Sequence, residues 1–140
     1  MSRNIHFFAE GLDFKVREKG RIRAWFNQAI KEYGKLEGEI NVVFTTDELL
    51  RNINLKYLNT DTYTDIITFD FSEEEHLVSG DIYISINRVE ENSKKYKATF
   101  ENELHRVLIH GVLHLLGFED TTKSEKSKMR KLENEFLDGY

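Results

Sequence analysis

Between residues 21 and 34 the apolar positions Ile22, Trp25, Phe26, Ala29, Ile30 and Tyr33 recur every three or four residues, the period of a helix with one buried face. Gly34 follows where such a helix should stop. The pattern then changes. Residues 39–45, EINVVFT, are rich in β-branched side chains and predict a strand, as do the shorter runs 5–8, 65–71 (DIITFDF) and 81–86 (DIYISI). Thr45 and Glu48 have capping-box spacing, so a helix is expected from there to about Leu58, followed by a polar stretch at 59–62. Residues 72–80, SEEEHLVSG, predict an exposed acidic loop whose charges are simply solvated.

Asn87 is the expected cap of a short helix ending near Tyr96, and Thr99, with Glu101 and Glu103 in the next turn, opens a long one. Along that helix Leu104, Val107, Leu108, Ile109, Val112, Leu113, Leu115 and Leu116 leave almost no polar side. Such a helix belongs at the buried centre. Thr122 and Glu125 repeat the capping-box spacing, and Met129, Leu132 and Phe136 give the last helix a narrow apolar stripe. The sum is an α+β chain, residues 1–140 as one domain, with a mixed sheet of about four strands packed with four or five helices.

Composition narrows the chemistry. Without cysteine there is no disulfide or thiolate metal site, and a reducing compartment is compatible. No run approaches the roughly 20 apolar residues that span a bilayer, and the N-terminus lacks a signal-peptide core, so a soluble cytoplasmic protein is expected. A net charge of −5 argues against strong non-specific binding to nucleic acid but leaves room for a local basic groove.

The candidate site is HGVLHLLGFED, residues 110–120. On a helix His110 and His114 differ by only about 40° around the axis and address one point. Gly117 can end the helix with positive φ and let the chain return Asp120 to that point. A solitary histidine on an apolar helix is ordinarily a core residue with a satisfied hydrogen bond. Two nitrogens and a carboxylate at this spacing instead match a catalytic zinc site with its fourth position open, although the same donors suit iron or another first-row ion. The spacing also reproduces the extended zinc-protease motif, with one difference. Where those proteases place a glutamate base, right after the first histidine, this chain has Gly111. Glu119 either takes that role or is an outer or surface carboxylate. Arg106, one turn before His110, either faces an anionic substrate or pairs with a carboxylate. His105 lies about 140° away and is expected to be structural.

HGVLHLLGFED, together with INVVFTTDELLRNINLKYL, TDIITF (64–69) and SGDIYIS (79–85), resembles the YbeY family of bacterial rRNA maturation factors over essentially the whole chain. The resemblance implies a zinc-dependent, single-strand-specific endoribonuclease that matures the 3′ end of small-subunit 16S rRNA and serves ribosome quality control. It implies one Zn2+ per chain on His110, His114 and Asp120, with ribosomal RNA and the small subunit as partners. Two departures from the family pattern matter most. Asp120 stands where the third ligand is usually histidine; aspartate still binds zinc but makes it a weaker Lewis acid. Leu58 stands where the family usually carries an arginine, and Thr60 and Tyr63 replace its usual lysine and proline. Lys56, Arg106 and Lys94, Lys95 and Lys97 are the candidate contacts to RNA, unless these lysines only solvate a helix face. The expected chemistry is phosphodiester cleavage with zinc polarising a phosphate oxygen and supplying hydroxide. The alternatives are a ribosome assembly factor with a mainly structural metal, and a protease-type hydrolase that Gly111 disfavours.

Overall fold

Residues 4–59 and 64–140 are described in a computed structural model, and in chain order they form β1 (Ile5–Ala9), α1 (Lys19–Glu32), β2 (Leu36–Thr45), α2 (Asp47–Leu58), β3 (Ile66–Asp70), β4 (Leu77–Ser85), α3 (Ile86–Lys95), α4 (Phe100–Leu115) and α5 (Lys123–Asp138). The strands make one mixed sheet in the order β1-β2-β4-β3. β1, β2 and β4 run parallel, and β3 closes one edge antiparallel to β4. Alternation sets which face is dry. Ile5, Ile40, Val42, Phe44, Val78, Ile82 and Ile84, all 0–1% exposed, share one face and pack with α1 and α4. Side chains of the other parity, Val43 and Ile67, are buried apart from that cluster, with Leu50 of α2.

α4 is the expected central helix. Leu104, Leu108, Ile109, Val112 and Leu113 are fully buried or nearly so, and the helix touches α1, α3, α5, β3 and β4. Gly111 faces the sheet so closely that an added Cβ would lie 2.9 Å from Ile82 Cγ2 and 3.0 Å from Ile66 Cδ1. A side chain there has nowhere to go, which removes the protease-type base for a steric reason.

Several boundaries differ from those the sequence suggests. α2 is capped by Thr46, whose hydroxyl accepts from Leu49 N at 3.2 Å; Thr45 ends β2, is buried, and donates to the Glu10 carbonyl at 2.9 Å. Ser85, not Asn87, caps α3 by accepting from Arg88 N at 3.1 Å, while Asn87 accepts from the backbone N–H of Asp47. The expected acidic loop is shorter, because residues from Leu77 on pair with β2 and Val78 is fully buried. The glutamates mask the start of this strand. β2 likewise begins earlier, at Leu36, through an irregularity between Glu37 and Ile40. α1 begins at Lys19 after Glu18, which has a φ of 58° and makes no side-chain capping hydrogen bond. Thr60 and Tyr63, and the polar stretch from 60 to 62, lie outside the described residues.

Candidate metal centre

Beyond its first turn, α4 leaves Arg106, His110 and His114 partly exposed on one stripe, each four residues from the next, while the side chains between them are buried. The helix then ends in a Schellman turn. Gly117 N–H donates to the His114 carbonyl at 2.9 Å and Phe118 N–H to that of Leu113 at 3.0 Å, with Gly117 at φ +102°. This reversal carries Asp120 back over the two rings. His110 Nε2 and His114 Nε2 are 2.9 Å apart, and the Asp120 oxygens lie 3.3 Å from the first and 3.5 Å from the second. One ligand atom from each of the three residues falls within 4.8 Å of the others, a group able to hold a metal ion.

The sequence reading misses Glu133, which is 5% exposed on α5. Its Oε2 meets His110 Nδ1 at 2.6 Å, and its Oε1 accepts from Arg106 Nη1 at 2.9 Å. With Nδ1–H given to Glu133, a neutral His110 has its lone pair on Nε2, the nitrogen a metal needs. Glu133 stands four residues after Met129, inside the apolar stripe of α5. A carboxylate at a position that periodicity reserves for the core was the available signal.

Burial alone pulls the His110 pKa down, but the hydrogen bond and charge of Glu133, with Asp120 and Asp65, raise it above the ordinary value. His114 goes the other way, lowered by burial and by the charge of His110 against the pull of Asp120. For Glu133 burial acts upward, yet the hydrogen bond and charge of His110, and then Arg106, hold it below the usual carboxylate value. Burial raises the Asp65 carboxyl near the same centre. The carboxylates around His110 therefore favour positive charge on its ring.

A cleft of about 540 Å³ opens over these residues, and Leu58, Thr64, Asp65, Glu103 and Arg130 are also on its walls. Arg106 reaches it but is paired, Nη1 with Glu133 and Nη2 with Asn134 at 2.8 Å. Glu119 is exposed and, like Lys56, Lys94, Lys95 and Lys97, is not among the cleft residues. Lys56 lies over the Tyr57 ring, Lys95 over Tyr96, and Lys94 pairs with Glu90. His105 is buried against Trp25 and Tyr140, away from the centre.

Comparison with known proteins agrees with this architecture. A family profile described as Endoribonuclease YbeY matches residues 9–140. Two proteins named Endoribonuclease YbeY are similar over nearly all of the chain. That of Christiangramia forsetii is 47% identical over 131 residues, 94% of this chain and 90% of the relative. That of Cytophaga hutchinsonii is 44% identical over 133 residues, 95% of this chain and 93% of the relative. The solution structure of TM1509 from Thermotoga maritima superposes with a TM-score of 0.63 at 30% identity, covering 96% of this chain and 90% of that one. With profile, relatives and fold in agreement across almost the full length, the chain belongs to the YbeY endoribonuclease family.

Proposed function

We propose that this chain is a zinc-dependent, single-strand-specific endoribonuclease of late ribosomal RNA maturation, acting at the 3′ end of small-subunit 16S rRNA and in ribosome quality control. The convergence of His110, His114 and Asp120 on the wall of an open cleft supports this most strongly, and family membership supplies the RNA substrate class. The donors suit zinc: two imidazole nitrogens and one carboxylate leave a position for water or substrate. When bound, the ion would supply Lewis acidity toward a phosphate oxygen and lower the pKa of water.

The chain's own residues do the rest. Glu133 fixes the His110 ring and its tautomer, and Arg106 in turn fixes Glu133. The Schellman turn at Gly117 holds Asp120 in place, and Gly111 lets α4 press on the sheet, so that both rings ride on a rigid support. One Zn2+ per chain, ribosomal RNA within the small subunit as partner, and a cytoplasmic location belong to the same proposal. Among the described residues no helix is long and apolar enough to cross a membrane.

Elemental analysis of the purified protein beside a cleavage assay on single-stranded RNA tests it. About one zinc per chain is expected, with metal and cleavage lost together in Asp120→Ala; cleavage that survives loss of the metal would sink the proposal. Leu58, an apolar wall of the cleft, favours one other reading, an assembly factor with a mainly structural metal and weak catalysis. His114→Ala separates the two, because a structural metal predicts a lowered melting temperature and a catalytic one predicts a folded, inactive protein.

A further inference from the structure

The cleft that holds the candidate metal centre is acidic. Asp65, Glu103, Asp120 and Glu133 line it, and a phosphodiester entering among them must meet cationic donors. Among the described residues two guanidinium groups line this cleft, Arg106 and Arg130. Arg106 is already committed, its side chain 19% exposed and both terminal nitrogens bonded, one to Glu133 and one to Asn134. Arg130 is differently placed. Its Nη1 is 3.9 Å from Glu133 Oε1, beyond hydrogen-bonding reach, and its side chain is 59% exposed. It stands at the cleft with a largely exposed side chain, and its guanidinium carries the planar fork of donors that suits a phosphate.

We infer that Arg130 is the phosphate-contacting residue of this cleft, holding the RNA backbone beside His110, His114 and Asp120. The inference rests on the ribonuclease reading of the same cleft. If Arg130 served only the long-range pair with Glu133, it would act on His110 through that carboxylate, and its removal would change zinc affinity.

Binding of a fluorescently labelled single-stranded RNA oligonucleotide to the zinc-loaded protein, measured by anisotropy over a range of salt, distinguishes these roles in the wild type, Arg130→Ala and Arg130→Lys. Zinc affinity is measured in parallel by competition with a chelating dye. Loss of one charge-assisted contact predicts about tenfold weaker RNA binding in Arg130→Ala. The slope of log affinity against log salt becomes shallower by about 0.7, as one phosphate contact on a single strand requires. Zinc affinity stays at the wild-type value, and Arg130→Lys regains the slope but only part of the affinity. RNA binding and slope unchanged in Arg130→Ala overturn the inference, and so does a parallel fall in zinc affinity. His114→Ala tests the foundation separately: cleavage lost there while Arg130→Ala behaves as wild type sinks Arg130 alone, whereas cleavage retained in His114→Ala sinks the ribonuclease reading beneath it.

Discussion

His105 and His110 lie five residues apart on α4, both largely withdrawn from water, and their surroundings drive them in opposite directions. His105 enters an aromatic corner, with the Trp25 ring centre 6.0 Å away and that of Tyr140 4.2 Å away. Among the described residues its Nε2 has no hydrogen-bond partner; a carboxylate oxygen of Glu101 is 3.8 Å off. Burial therefore lowers its pKa. His110, turned about 140° around the axis, meets the carboxylate of Glu133 at 2.6 Å, and its pKa rises instead. Burial by itself makes a histidine a neutral packing residue. A buried carboxylate on one ring nitrogen prepares the other for a cation.

Destroying the His110 side of this contrast has the largest effect. His110→Ala removes a ligand, and RNA cleavage falls by about three orders of magnitude with the loss of the metal's several kcal/mol of transition-state stabilisation. A variant that cleaves within tenfold of wild type would show that the centre is not the site of chemistry. Next comes Glu133→Gln, which keeps the shape and removes the charge: zinc affinity falls about 10–100-fold by dye competition, the usual cost of losing an outer carboxylate. An unchanged affinity would mean that His110 needs no such partner.

Titration reads the contrast directly. In the metal-free protein, imidazole NMR signals place the pKa of His110 above the ordinary value and that of His105 below it. The sign for stability follows. The contribution of His110 is complete below its unfolded value of about 6.5 and is lost as pH rises through its folded one, whereas that of His105 is present above about 6.5 and is lost as pH falls through its folded one. Zinc must displace the His110 proton, so affinity drops by about tenfold per pH unit below that raised pKa. The opposite order of the two titrations would refute the contrast. His105→Phe has the smallest effect. The ring volume and stacking stay, the unpartnered nitrogen goes, and urea denaturation should shift by no more than about 1 kcal/mol with cleavage untouched.

The same contrast shows what a sequence can carry. Helical period placed His110 and His114 on one stripe and His105 off it, because these relations are local to one helix. Gly117 announced the turn that returns Asp120 for the same reason, and the capping box at Thr122 and Glu125 forms as expected, with Glu125 accepting from Thr122 N–H. Glu133 shows in the sequence only as a carboxylate out of place in the apolar stripe of α5, because its role depends on α5 docking against α4, a relation across 23 residues. Arg106 was legible as a residue on the ligand stripe but not in its role, since only that docking shows which anion it meets. Lys56 and Lys94 are RNA-contact candidates by charge alone, and neither is among the residues that line the cleft. Neighbouring capping candidates also mislead: the cap of α2 is Thr46, just after the last residue of β2, whereas the cap of α3 is Ser85, the last residue of β4, and where each strand ends is decided by tertiary pairing.

The turn at Gly117 has one more consequence. Asp120 follows His114 by only six residues, so an ion joining them closes a very small loop. Loop-closure entropy grows only with the logarithm of length, and little of the chain's freedom is governed by so short a link. Chelation should therefore release a single turn at the end of α4 while the sheet and its helices stay folded. Metal occupancy would then be a reversible local latch on the cleft, set by the free metal ion around the protein, rather than a condition for the chain to fold.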